Sequence, residues 1–154
     1  DSTLGAAYLG LNPWVLAASP GYLKAHGRPR KPQDLGRHEA LIYSTVQGDE
    51  RWLLSGTDGR QISVSVRGRL RSNNLSMLLA AARQGFGIAA LPRYVAHRSL
   101  TEGALTSVLD DWALPSQEVH AVFPSPRMVP AKVRLLITWL QSQFGPDWWA
   151  RPND

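Results

Sequence analysis

Arg83-Gln84-Gly85-Phe86-Gly87-Ile88-Ala89-Ala90-Leu91-Pro92, RQGFGIAALP, decides how the chain is read. It spells G-x-G-x-x-A, a letter pattern of dinucleotide-binding loops. That fingerprint needs a strand before it and a helix after it, because the pyrophosphate rests on the amino end of the following helix. Here the order is reversed. Upstream, Leu75, Leu78, Leu79 and Ala82 recur at i, i+3, i+4 and i+7, the apolar stripe of a helix. Ser72, Asn73 and Asn74 offer capping side chains at its start. Downstream, Ile88 to Leu91 is a short apolar run ended by Pro92, which suits the first turn of another helix. The stretch therefore predicts a helix-to-strand turn in which Gly85 takes a left-handed conformation to close the helix, and Gly87 lets the backbone turn tightly.

Working outward, Trp14 to Ala18 predicts a strand, and Ser19-Pro20 the N-cap and first position of a short helix ending at Gly27. A single turn is expected over Lys31 to Leu35, then strands over Ala40 to Ser44 and Arg51 to Ser55. Thr57-Asp58-Gly59 reads as a turn into Ile62, Val64 and Val66, whose alternation with Ser63 and Ser65 marks a hairpin. Arg67, Arg69 and Arg71 alternate with Val66, Gly68 and Leu70, the period of a strand with one solvated face. A short helix is expected from Tyr94 to Arg98, strands over Leu105 to Leu109 and Glu118 to Phe123, and a last helix from about Pro130. The stripe of that helix is Val133, Leu136, Ile137, Leu140 and Phe144. The tail from Asp147 loses this periodicity and is expected to be loose. Strands alternating with helices predict an α/β sheet, mostly parallel with some hairpin content.

At 154 residues the chain has one domain's length, and its 44% hydrophobic and 19% charged composition is globular. The net charge of +5 is scattered rather than massed, so a solvated charged face is a better account than a nucleic-acid surface. No apolar run approaches the roughly 18 residues of a membrane span. The start at Asp1 shows no export signal, and zero cysteines exclude disulfides and thiolate sites and fit a reducing compartment, so a cytoplasmic location is expected. Catalytic, cofactor and metal sites are not expected. There is no G-x-S-x-G elbow, and His26, His38, His97 and His120 form no ligand pair at helical spacing. Asp110 and Asp111, as neighbours, are more fitted to ending a strand than to acid–base work.

Four stretches in order, LAASPGYLKAHGRPRKPQDLGRHEALIYS (Leu16 to Ser44), VRGRLRSNNLSMLLAAARQGFGIAALPRYV (Val66 to Val95), EGALTSVLDDW (Glu102 to Trp112) and VHAVFPSPRMVPAKVRLLITWLQSQF (Val119 to Phe144), give the chain its family likeness. It resembles the effector-binding domain of LysR-type transcriptional regulators. The resemblance implies a type 2 periplasmic-binding-protein-like α/β fold: two subdomains joined by two crossing strands, with a small-molecule effector in the cleft. On that template one subdomain is complete and only the C-terminal part of the other is present. Residues 1–17 would be a remnant of the first subdomain with the first crossover at Trp14 to Ala18, and 18–118 the second subdomain. Residues 119–147 would be the return crossover and C-terminal helix, and 148–154 a loose tail. The family's winged helix-turn-helix, linker helix and opening strands are not matched. The stripe on the last helix would then lack much of the sheet it should cover, so a fragment associating through this apolar surface is expected.

The resemblance also implies a binding site. Ser72-Asn73-Asn74, at a step from strand to helix, would meet a small anion or polar group with unpaired N–H groups and a positive helix end. Asn73 is the best match for the contacting side chain, although Asn73 or Asn74 could simply cap the helix. Ala18 and Ser19 would face the cleft from the end of the first crossover, although Ser19 is better suited to capping the Pro20 helix. Tyr43 and Ser44 end the LIYS strand, Gly87 would let backbone approach the ligand, and Phe123 would wall the pocket at the hinge. The partners implied are a small-molecule effector, DNA only through a domain outside this chain, and further copies of the chain, with no membrane. The alternatives are a transporter's solute-binding protein, which should be secreted, and an enzyme on the same architecture.

Overall fold

The computed structural model describes residues 4–45, 50–124 and 129–150. Along the chain run β1 (Gly5–Asn12), β2 (Trp14–Ala18), α1 (Pro20–His26), a 3-10 turn (Pro32–Arg37), β3 (Glu39–Tyr43), β4 (Arg51–Gly56), β5 (Gln61–Ser65) and β6 (Arg67–Ser72). Then come α2 (Leu75–Arg83), β7 (Ile88–Pro92), α3 (Arg93–Thr101), β8 (Thr106–Ser107), β9 (Trp112–Ala113), β10 (Gln117–Phe123), α4 (Ala131–Gln143) and a 3-10 turn (Trp148–Ala150). The chain divides into two units, Pro13–Pro115 and the remainder, Asp1–Asn12 with Ser116–Asp154.

The larger unit is built on a five-stranded sheet of order β6-β3-β7-β2-β8. β3 runs parallel to both β6 and β7, whereas β2 is antiparallel to β7 and β8. The sheet is therefore mixed, and with the antiparallel β5-β4-β9 sheet beside it the expectation of a mostly parallel arrangement is corrected. β6 and β7, joined through α2, run parallel to β3 between them; β2 precedes that crossover and enters from the other direction. Both faces of the sheet are covered, which is why β2, β7 and the Ala40 to Ile42 centre of β3 are apolar rather than alternating. On one face Leu16, Ala18, Ala40, Ile42, Ile88 and Ala90 meet Tyr22, Leu35 and the hairpin residues Trp52, Leu54 and Val64. On the other, Val15, Ala17, Leu41, Ala89 and Leu91 meet Leu78 and Ala82 of α2 and Ala96 of α3.

The RQGFGIAALP stretch folds as read. The amides of Gly85 and Phe86 donate to Ala82 and Ala81, with Gly85 at φ 78°, closing α2 before β7 begins. Gly87 has a different role from the turn expected of it, because a Cβ there would collide with the Glu39 carbonyl at the start of β3. Leu105 to Leu109 shrinks to the two residues of β8. Leu109 turns into the left-handed region at φ 56°, and Leu105, Val108 and Leu109 are buried without extending the ladder.

In the smaller unit β1 and β10 form an antiparallel pair, and α4 packs on β1, where the Gln141 side-chain amide donates to the Tyr8 carbonyl at 2.9 Å. No residue of α4 is buried. Val133, Ile137 and Leu140 are half-covered, while Leu135, Leu136 and Trp139 stand exposed. The described part of the tail makes contacts with β1 and the end of α4. The Trp148 indole donates to the Leu11 carbonyl at 2.8 Å and its ring packs 4.9 Å from Phe144; residues 151–154 lie outside the described residues.

Candidate functional site

Strand direction sorts the candidate residues. Since β6, β3 and β7 are parallel, their carboxyl ends share one edge of the sheet, and Trp14, opening the antiparallel β2, arrives there as the partner of Pro92. At this edge Tyr43 pairs with Ser72, the Ser44 amide donates to the Ser72 carbonyl at 3.1 Å, and the Tyr43 and Trp14 rings lie 5.8 Å apart. Crevices outside the carboxyl ends of parallel strands are the usual ligand positions of open α/β sheets.

The step from β6 to α2 is hydrogen-bonded in sequence. Ser72 Oγ accepts from the Asn74 amide at 3.0 Å, and Asn74 Oδ1 accepts from the amides of Ser76 at 2.9 Å and Met77 at 3.2 Å. Asn74 is thus the N-cap, and Asn73 between them is exposed with its amide side chain not spent on capping. α3 begins at the same edge with no side-chain cap, its first amide donating to the Pro13 carbonyl at 2.8 Å. Two helix amino ends with their partial positive charge therefore meet one sheet edge, a setting favourable to a small anion or polar group.

Ala18, Ser19 and Gly87 are not brought to that edge. β2 runs against β7, so its last residue lies level with the first residues of β7 and β3, about 13 Å away along a five-residue strand. Ala18 is fully buried, and Ser19, 7% exposed, accepts from the Tyr22 amide at 3.2 Å as the N-cap of α1. Strand direction, which local sequence does not carry, corrects their expected position. Phe123 belongs to the other unit, where its ring lies against Gly5. Trp14, Pro92 and the start of α3 were missed as edge residues for the same reason, since only knowing that β7 is parallel to β3 would have found them.

The opposite edge carries two buried titrating groups with shifted pKa values, Tyr22 and His38. Burial raises the Tyr22 phenol above its ordinary pKa, and burial, then the His26 charge, lowers that of the His38 imidazole. Among the described residues no cluster of His, Asp or Glu is placed to hold a metal, and no helix is long and apolar enough to cross a membrane.

Comparison with known proteins bears on what such a unit does. Residues 1–145 match the LysR substrate binding domain family. An HTH-type transcriptional regulator of Haemophilus influenzae is 33% identical over 133 residues, covering 86% of this chain and 46% of that protein. The HTH-type transcriptional regulator PtxR of Pseudomonas aeruginosa is 32% identical over 145 residues, 94% of this chain and 46% of its own length. The full-length structure of the Vibrio cholerae virulence activator AphB is similar at a TM-score of 0.79 and 28% identity, with 94% of this chain and 49% of that one covered. The chain thus spans about half the length of the relatives it matches.

Proposed function

The chain belongs to the LysR substrate binding domain family, and from that premise we propose that it senses a small polar or anionic effector for a bacterial transcriptional regulator. The relatives compared are named as regulators rather than as transporter components or enzymes. In this reading the helix-turn-helix domain that binds DNA, the cytoplasmic setting and assembly into an oligomer belong to the whole regulator. This chain supplies the ligand-dependent part. Ligand acts by binding one conformation better than another, which shifts the population the DNA-binding domain sees.

A single observation carries the proposal of a site: Tyr43, Ser72 and Asn73 meet at the carboxyl ends of β3 and β6 where α2 begins, and capping by Asn74 leaves Asn73 available. The test is a calorimetric screen of small mono- and dicarboxylates against the chain, repeated with Asn73→Ala. A hydrogen bond to a charged group contributes about 1.5–3 kcal/mol, so the variant should bind roughly ten- to a hundredfold more weakly at unchanged stability. Equal affinity in the two proteins would refute the assignment of Asn73. For the wider reading, the chain alone should bind duplex DNA weakly; tight binding that collapses with added salt would contradict it.

A further inference from the structure

We propose that Tyr22 and His38 form a pH-sensitive latch that fastens α1 to the start of β3 while His38 is neutral and lets go when His38 takes up a proton. The latch sits at the edge of the sheet away from the proposed effector site and does not depend on that reading.

The Tyr22 phenol oxygen accepts the Glu39 amide at 3.0 Å and lies 3.2 Å from His38 Nδ1. A phenol has one proton to give. With the Glu39 N–H already pointing at its oxygen, that proton satisfies Nδ1, and the imidazole is neutral with its hydrogen on Nε2. Tyr22 is 3% exposed and His38 7%, so water has little access to repair a broken bond. Protonated at Nδ1, His38 would present a donor to a donor, and the displaced phenol proton would be left in a buried site without an acceptor.

The same few residues join three segments. Ser19 caps α1 through the Tyr22 amide, the Gly85 turn after α2 lies against Ser19 Oγ and the Tyr22 Cβ, and His38 ends the 3-10 turn by donating its amide to Leu35. Charged and titratable groups reach the pair from each packed element. His26 of α1 stacks on Tyr22 at 4.3 Å and disfavours a charge on His38. Asp34 of the 3-10 turn favours that charge, but its carboxylate is engaged by the amides of Arg30 and Lys31. Glu39 of β3 is paired with Arg67 of β6 at 2.6 Å, and Arg67 and Arg69 of β6 act on the phenol. β5, packed against the 3-10 turn, brings no titratable side chain.

The experiment follows amide hydrogen exchange in α1 together with the His38 ring resonances, in the full chain and in His38→Asn, from about pH 8 to about pH 5, a range spanning an ordinary histidine. Asparagine puts a non-titrating oxygen where Nδ1 stands. After correction for intrinsic exchange, α1 should lose about tenfold of its protection in the wild type on acidification, a factor worth about 1.4 kcal/mol, and stay level in His38→Asn. Equal acid loss in the two proteins, or none in the wild type, overturns the latch. Should the variant not fold, the wild-type ring decides. Hydrogen on Nε2 at neutral pH, with a His38 midpoint coinciding with the loss of protection, supports it; hydrogen on Nδ1, or a midpoint that does not coincide, overturns it.

Discussion

The two edges of the five-stranded sheet are made from the same strands and are opposite in character. At the amino ends of β3 and β7, Ser19, Tyr22 and His38 are buried, hydrogen-bonded to one another or to the backbone, and Gly87 is pressed against Glu39. At the carboxyl ends Asn73 and Asn74 are exposed, Tyr43 and Ser72 are half-buried, and a helix starts with no side-chain cap. One edge holds the fold and the other has exposed polar groups, which is why the proposed effector site is put at the second.

Substitutions can break or sharpen that contrast. The largest effect is expected from Tyr22→Ala, which removes a buried ring and its hydrogen bonds at the closed edge; about 3–5 kcal/mol of stability should be lost in urea unfolding. Tyr43→Ala, at the open edge, should cost clearly less, and equal losses would erase the distinction. Next come the caps. Ser19→Ala and Asn74→Ala should each cost about 0.5–2 kcal/mol, with the buried Ser19 toward the upper end.

Acid should act on the closed edge. His38 has a folded pKa below its unfolded value near 6.5, so on acidification the unfolded chain takes up the proton first. Its contribution to stability is complete above the unfolded pKa and is lost as pH falls from there to the folded value. The slope within that window is at most about 1.4 kcal/mol per pH unit, measurable by urea unfolding at stepped pH. The smallest effect on stability is expected for Asn73→Ala, within about 0.5 kcal/mol, because an exposed side chain that caps nothing has little to lose.

Local chemistry was legible in the sequence. The α2 stripe, the Gly85 closure, the Ser19 cap and the β4–β5 hairpin each announce themselves within a few residues, and the structure keeps them. β1 did not, because Gly5, Ala6, Ala7 and Gly10 give its eight residues little of the β-branched or alternating character that marks a strand. It is defined instead by pairing with β10, more than a hundred residues away. The contacts of Trp148 were not legible for a similar reason, since they are made with a carbonyl at Leu11 and a ring at Phe144 rather than through any period of its own.

The candidate site was half legible. Ser72, Asn73 and Asn74 stand out as a strand-to-helix step, and the family likeness then singles out Asn73. Ala18, Ser19 and Gly87 were grouped with them because residues at strand ends look alike until the direction of each strand is known. β2, which the resemblance casts as a crossover, lies between β7 and β8 inside the larger unit, and that arrangement carries its last residue to the far edge.

Amide chemical-shift mapping by NMR, with whichever small carboxylate binds the chain most tightly, tests the central claim most directly. The account predicts that the largest changes fall on Tyr43 to Thr45 and Ser72 to Leu75, with Ser19, Tyr22 and Gly85 to Gly87 little moved. Changes concentrated on the second group, with Asn73 silent, would contradict it.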